Sequence, residues 1–394
     1  MNKQSKRPTL RVLGTSVTLI EKIRIKAEQD LGINIEYQIY DPQTVQRIAV
    51  LHPEQYDLYD QWFHNIDFVW PVKSIQPIET AKIKRWNEIN DLAKKGTLFV
   101  DGPLAKGGLP SQRLYIQEDG TLGSTETPFI TMLPLTHNVD SFIYSPQNLP
   151  ESLNDQPESW GWLLDHNWHG TVAVQNDAAI GALDLAMAVQ ASKQLSFQDL
   201  GNLTLSEIDK LTAVLWDLKK ANHFKDFWSD DEQAYHLIAS KGVHIASIWY
   251  PTLIKLLKHN KHLKIAHPKE GYRAWFGGLA LSREVQGATK DIAYQYLNWW
   301  MDGWAGAMVA RQGLYISNPM RAREYMSQAE WDYWYMGKAA SETLLGINDE
   351  PLIDAGMKRA GGSYMERMGH IGVWNSVMDE HNYLVRKWKA LLES

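Results

Sequence analysis

The sequence predicts an α/β protein of two lobes, each built on a mixed, mainly parallel sheet. Three observations carry that expectation. A chain of 394 residues exceeds what one ordinary core holds, so two lobes are the default. The first sixty residues alternate short apolar strands with amphipathic helices, and β-α-β-α-β order makes a parallel sheet that gathers ligands at the carboxyl ends of its strands. A second strand–helix series begins near Thr171, beyond a stretch of weak periodicity.

The elements follow in order. Residues 10–13 form a brief apolar strand ending at Gly14-Thr15-Ser16. Leu19, Ile20, Ile23, Ala27 and Leu31 recur at helical spacing, and Gly32 stops that helix. Residues 33–39 alternate as a strand, 41–49 suit a helix, and 56–59 are a third strand. Residues 92–130, rich in Gly, Pro and Lys, read as an irregular insertion, and 132–138 as a crossing between lobes. Then come a strand at 171–174, helices at 178–192 and 206–221, a strand at 243–249, and a return crossing at 265–270. A long amphipathic helix follows Ala280, and residues 373–392 read as a terminal one, with Val373, Val377, Tyr383, Leu384, Trp388 and Leu391 on its apolar face. The lobes are then discontinuous: 1–134 with the return segment 264–315, and 135–263 with 316–394 packing mainly on it.

Composition excludes several classes. Net charge is −6 with Lys and Arg scattered, so the footprint of a nucleic-acid binder is missing, and the basic start at residues 3–11 reads as a solvated tail. With no cysteine there are no disulfides, thiolate nucleophiles or Cys-ligated metals. No apolar run reaches the length of a membrane span. The first residues also lack the apolar stretch of a secretory leader, which has either been removed or was never used. His166 and His169 beside Asp165 make only a loose metal pair with no third ligand, and Gly337-Lys338 runs on to Ala339 rather than completing a phosphate loop. There is no Gly-x-Ser-x-Gly elbow, and no cofactor is implied. The 17 tryptophans are roughly three times the average share. Trp299, Trp300, Trp331 and Trp334 read as core, whereas Trp249 and Trp275 sit where strands give way to turns, beside Gly271, Gly277 and Gly278.

Four segments share one resemblance: the turn Gly14-Thr15-Ser16; Asp60-Gln61-Trp62-Phe63-His64; Ser159-Trp160-Gly161-Trp162 through Trp168 to Asp177; and Ser247-Ile248-Trp249 followed by Pro268–Gly271 and Trp275. Together they resemble an extracellular solute-binding protein of an ABC importer, in the spermidine/putrescine-binding family. The resemblance implies a bilobal, type II periplasmic-binding-protein-like fold with two hinge crossings. It implies a monomer, periplasmic or extracellular, that closes on a small polar or cationic solute, hands it to membrane permease subunits and does no chemistry on it. The candidate ligand-binding positions are Thr15, Ser16, Asp60, Trp62, His64, His137, Asp177, Trp249, Tyr250, Arg273, Trp275 and Tyr315.

Each has a plainer reading beside it. Asp177 reads as a helix cap, a ligand carboxylate or both, Asp60 as a turn residue or a carboxylate for an amine, and His64 and His137 as polar residues near a crossing or as bases. Two family carboxylates are replaced, by Ile180 and Gly277, and Arg273 has appeared, a residue that pairs with carboxylate or phosphate or joins a surface salt bridge. A sugar-type or organic-anion binder, and an enzyme on the same two-lobed fold, stay open as alternatives.

Overall fold

The computed structural model describes residues 7–240, 242–258 and 262–393. The first half of the basic start, residues 3–6, therefore lies outside the described residues. Strands β1 (Thr9–Gly14), β2 (Asn34–Ile39) and β3 (Leu58–Trp62) are parallel, with β1 in the middle. Helices α1 (Glu21–Leu31) and α2 (Pro42–Leu51) connect them. Gly32 takes φ 67° to end α1, and the Asp41 side chain accepts the Thr44 N–H to start α2, so both boundaries follow from residue chemistry.

Two long strands then organise everything else. β4 (Leu133–Tyr144) and, much later, β8 (Tyr272–Ser282) run antiparallel, pairing Leu133 with Leu279, His137 with Phe276 and Asp140 with Arg273. Between them in sequence lie β5 (Val172–Gln175), α3 (Gly181–Ala191), α4 (Leu205–Lys220), β6 (Phe224–Trp228), β7 (Ile245–Ile248) and α5 (Tyr250–Leu257). β8 is followed by α6 (Gly287–Met301), β9 (Ile371–Trp374) and α7 (His381–Glu393). Strand order along the main sheet is β6-β5-β7-β4-β8-β3-β1-β2, so β4 and β8 are the seam between the two strand sets. Every residue of both strands is buried.

The apolar interior divides accordingly. One cluster holds Leu10, Val12, Ile23 and Leu279 and extends through Trp275 to Leu253; the other holds Trp160, Leu185, Leu211 and Trp388. Trp299, Trp300, Trp331 and Trp334 are all in the first cluster, as expected of core residues. α7 packs on α4, where Lys219 donates to the Leu391 and Leu392 carbonyls, while Trp334, Tyr364 and Met368 join the first cluster.

Several expected boundaries move, each for a local reason. The return crossing is Tyr272–Ser282 rather than 265–270, because Lys264–Ile265 pairs with Tyr144 and Ile143 as a short edge strand. The terminal helix begins at His381: Ile371–Trp374 is a strand parallel to β8, and helical spacing was carried only by Leu384, Trp388 and Leu391. α3 starts at Gly181 rather than 178, because the Asp177 side chain takes the Ala179 N–H and holds a turn there. The stretch 92–130 is mostly irregular but contributes three short strands, Tyr115–Ile116, Leu122–Gly123 and Phe129–Ile130, that join Ile78–Glu79 in a small sheet.

The seam leaves no room for a side chain at Gly278, where a Cβ would stand 2.2 Å from the Leu133 carbonyl oxygen and 2.7 Å from Met132 Cγ. Gly278→Ala should therefore force β4 and β8 apart and lower stability by about 2–3 kcal/mol, the scale of an overpacked core. Urea titration checks this: the midpoint should fall with an unchanged slope.

Candidate functional site

The carboxyl ends of β1, β3, β5 and β7 point into the space between the two strand sets, and the turns that leave them line it. β3 ends on Trp62 and passes into the turn Phe63–Asn65. β7 ends one residue before Trp249, which stands at the start of α5, with Pro251 fixing the first turn. β5 passes into the turn 176–180. Val17, Trp62, Asp140, Ile180, Trp249, Arg273, Trp275 and Asn375 enclose the base of this cleft. A groove of about 760 Å³ opens from it between α2 and the Phe63–Val69 segment on one side and the turn 176–180 and α7 on the other.

Three tryptophans meet at the base. Trp62 lies 6.3 Å from Trp249 at 54° and 6.4 Å from Trp275 at 72°, while Trp228 backs Trp249 edge-on at 5.1 Å. The Trp275 indole N–H donates to Asp140 at 2.8 Å, which fixes that ring. Behind the rings, Arg273 donates through Nε to Asp184 at 2.6 Å and through Nη1 to Asn375 at 2.9 Å, with Asp140 at 3.8 Å. One guanidinium thus faces two buried carboxylates, and Asp177 stands nearby as a third. Burial raises all three carboxyls, Asp140 to about 6; Arg273 pulls each back down. Asp140 also feels the buried Arg367, so three carboxylates face two cations beside aromatic rings, which still suits the base to a positive group.

The structure brings together six of the positions singled out from sequence: Trp62, His64, Asp177, Trp249, Arg273 and Trp275. Arg273 is there in a different capacity, since its charge is taken up inside the protein. His64 stacks on Trp62 at 5.8 Å, and burial, aided by Arg113, Arg273 and His381, pushes its pKa down to about 3, so it is neutral.

The other six do not line the cleft. Thr15 is buried in the turn after β1, where its carbonyl accepts the Leu19 N–H, and Ser16 is exposed on that turn. Asp60 turns away and accepts the Thr18 hydroxyl at 2.7 Å. His137 is buried in the seam, stacked on Phe276 at 4.5 Å and 2.9 Å from the Tyr364 hydroxyl. Burial alone pushes its pKa down to about 3. Tyr250 and Tyr315 wall the buried Arg359 guanidinium at 4.4 and 4.8 Å, behind the cleft. His166 is exposed beside Asp165, and no group of three potential ligands for a metal occurs among the described residues.

Sequence reading missed Asp140, Asp184 and Asn375. Asp184 did leave a signal, as the single charged residue in the apolar run Gly181–Ala191. Asp140 left none, because its strand is polar enough to read as a loop.

Comparison with known proteins agrees with this geometry. Residues 24–332 match the model of the bacterial extracellular solute-binding protein family, and the chain belongs to that family. Solved structures share its fold over nearly the whole chain at low identity. A spermidine/putrescine ABC transporter protein from Listeria monocytogenes is similar at TM-score 0.67 and 14% identity, covering 97% of this chain and 98% of that one. The TpPotD lipoprotein of Treponema pallidum is similar at TM-score 0.67 and 12% identity, covering 98% and 99%. The AgtB binding protein of A. tumefaciens R10, solved with agropinic acid, is similar at TM-score 0.63 and 11% identity, covering 98% and 99%. The bilobal periplasmic-binding-protein architecture expected from the resemblance is therefore the fold of this chain.

Asp60 gives the site's surroundings a pH signature. Burial raises its pKa to about 7, against Thr18 lowering it, so the folded state holds this proton more tightly than the unfolded chain does. Its contribution is therefore favourable below the ordinary carboxyl pKa near 4 and is lost as pH rises through 7. Asp60→Asn should remove that loss, gaining roughly 2 kcal/mol relative to the parent between pH 5 and pH 7. Urea unfolding of both proteins at the two pH values measures it; a constant difference would contradict the assignment.

Proposed function

We propose that this chain is the solute-capturing component of an ABC-type importer, and that its solute is small and carries a positive charge, as a polyamine-like amine or a zwitterion does. The observation that carries this reading is the base of the cleft, where Trp62, Trp249 and Trp275 meet beside Asp140, Asp177 and Asp184, three carboxylates against Arg273 and the more distant Arg367. A desolvated ammonium needs both a paired charge and aromatic faces, and this base offers both. An organic anion fares worse, because the arginine that would clamp it is already held by Asp184.

The mechanism is closure about the β4–β8 seam. Solute touching both walls of the cleft gives the closed state contacts that the open state lacks, and membrane permease subunits then read the closed form. We assign discontinuous lobes, 1–134 with 264–315 on one side and 135–263 with the terminal helix on the other, acting as a monomer outside the bilayer. No helix among the described residues is long and apolar enough to cross a membrane. The solute leaves unchanged: His64, its pKa pushed down to about 3 by burial, is too weak a base to take up a proton near neutral pH, and His137 lies outside the cleft.

Isothermal titration with putrescine, spermidine, 4-aminobutyrate and glucose tests the reading. Trp62→Ala or Trp249→Ala should weaken the amine that binds by about 1–3 kcal/mol, the scale of a lost cation–π contact and its buried area, with the fold intact by circular dichroism. Asp177→Asn should abolish most amine affinity, whereas saturable glucose binding indifferent to that change would favour the sugar alternative. Mass spectrometry after hours of incubation should return the amine unaltered; conversion beyond one equivalent, lost in His64→Ala, would make the protein an enzyme.

A further inference from the structure

The groove outside the tryptophan base has a character of its own. Phe68, Val50 and Leu51 line it from one side and Val385, Trp388 and Leu392 from the other. Leu51 is 62% exposed and Val385 39%, so apolar side chains face solvent from opposite walls of the same groove. Exposed apolar pairs across a cleft gain when a third apolar surface fills the space between them. The walls also touch directly: Phe68 meets the His381 ring edge-on at 5.3 Å. Trp388 is fixed by its indole N–H on Asn176 at 3.1 Å, next to Asp177, so the apolar wall runs continuously into the acidic base.

The charges along the groove are asymmetric. Asp177, inside, accepts a backbone N–H, and Arg273, the cation whose charge acts on it, is already held by Asp184. At the mouth Glu393 pairs with Lys389 at 3.6 Å, and the exposed Arg47 adds a further positive charge. One end of the groove therefore favours a cation, while the other offers a second cation no unpaired carboxylate among the described residues.

We propose that the solute is a monocationic amphiphile, an amine or quaternary ammonium on an alkyl or aryl body. The charged head sits against Trp62 and Asp177, and the body lies between Phe68 and Val385. This rests on the amine reading above and narrows it to singly charged amines, away from its polyamine-like form. A diamine such as putrescine fits poorly, because its distal ammonium would be stripped of water against apolar side chains or set beside Arg47.

Isothermal titration with n-alkylamines from butylamine to octylamine, and with 1,6-diaminohexane against hexylamine, tests it. Affinity should rise two- to fourfold per added methylene, as roughly expected for partial to full burial of each CH₂, and the diamine should bind about tenfold more weakly than the monoamine of equal length. Val385→Asp, at a partly exposed helix position, should narrow or reverse that preference by supplying the missing carboxylate. A series flat in chain length, or a diamine as tight as its monoamine, overturns the amphiphile assignment and leaves the amine reading standing. Absence of binding by every amine overturns both.

Discussion

The buried contact of Arg273 with Asp184 and Asp140 is the constraint on which the cleft depends. Arg273 and Asp140 are register partners across β8 and β4, and Asp184 belongs to α3, so one guanidinium ties the seam to the helix behind the second wall. A buried ion pair contributes little net stability against an apolar substitute, yet removing one partner leaves an uncompensated charge and costs several kcal/mol. Its value here is positional. It fixes Asp140, Asp140 fixes the Trp275 ring through the indole N–H, and Trp275 in turn meets Trp62. Because two carboxylates share one cation, the same cluster that holds the architecture also makes the base acidic. A site built this way is ordered before anything binds, and less affinity is lost to ordering side chains.

Behind that cluster the protein buries two further cations by a different device. Arg359 donates to the Tyr315 hydroxyl and the Gly313 carbonyl, and its guanidinium lies over Tyr250, Tyr315 and Trp334. Arg367 donates to the Ala360 and Val139 carbonyls and lies over Tyr272. Carbonyl dipoles and aromatic faces thus do for Arg359 what carboxylates do for Arg273, and for Arg367 they act together with the field of Asp140. Arg359 ties the 313–334 stretch to Tyr250 of α5, while Arg367 locks its segment to the seam through Val139 and Tyr272. Two aromatics with the look of site residues, Tyr250 and Tyr315, are consumed in this packing, which a linear sequence has no way to display.

The parts legible from sequence were those whose chemistry is local. α1, α2 and β1–β3 declare themselves through spacing, Gly32 and Asp41, and Trp249 by sitting where β7 stops; Trp275, expected at such an end as well, lies inside β8. β4 was readable only to residue 138, because Thr136, His137, Asn138, Asp140 and Ser141 look like a loop. They are tolerated inside because neighbours on both sides use the backbone and named partners meet the side chains, as Ser141 Oγ does with the Ala266 carbonyl. Arg273 was recognised as either an anion clamp or a surface salt-bridge partner; it is an ion-pair partner, but a buried one, and its partners lie 89 and 133 positions away in sequence. Long-range pairing is the information that residue spacing does not carry.

The seam also constrains how the two strand sets can move. A sheet continuous through β4 and β8 resists bending wherever its ladder is regular, and the closure we propose must be absorbed where it is not. The β4–β8 register shifts between Pro134 and His137, and Thr136 and His137 pair instead with the short strand Tyr315–Ile316. Opposite this irregularity β8 carries Gly277 and Gly278, the two positions where it has no side chain to drag against a neighbour. Bulges and glycines lower the cost of bending a strand, and here they coincide on facing strands, with the glycines two and three residues from Trp275. Bending at that point carries the groove walls, α2 and α7, through the largest arc, while Arg273, Asp140 and Trp275 stay near the axis. In the function we propose, capture and closure divide between two regions: an acidic aromatic base that recognises charge, and a wide apolar groove whose width follows the hinge.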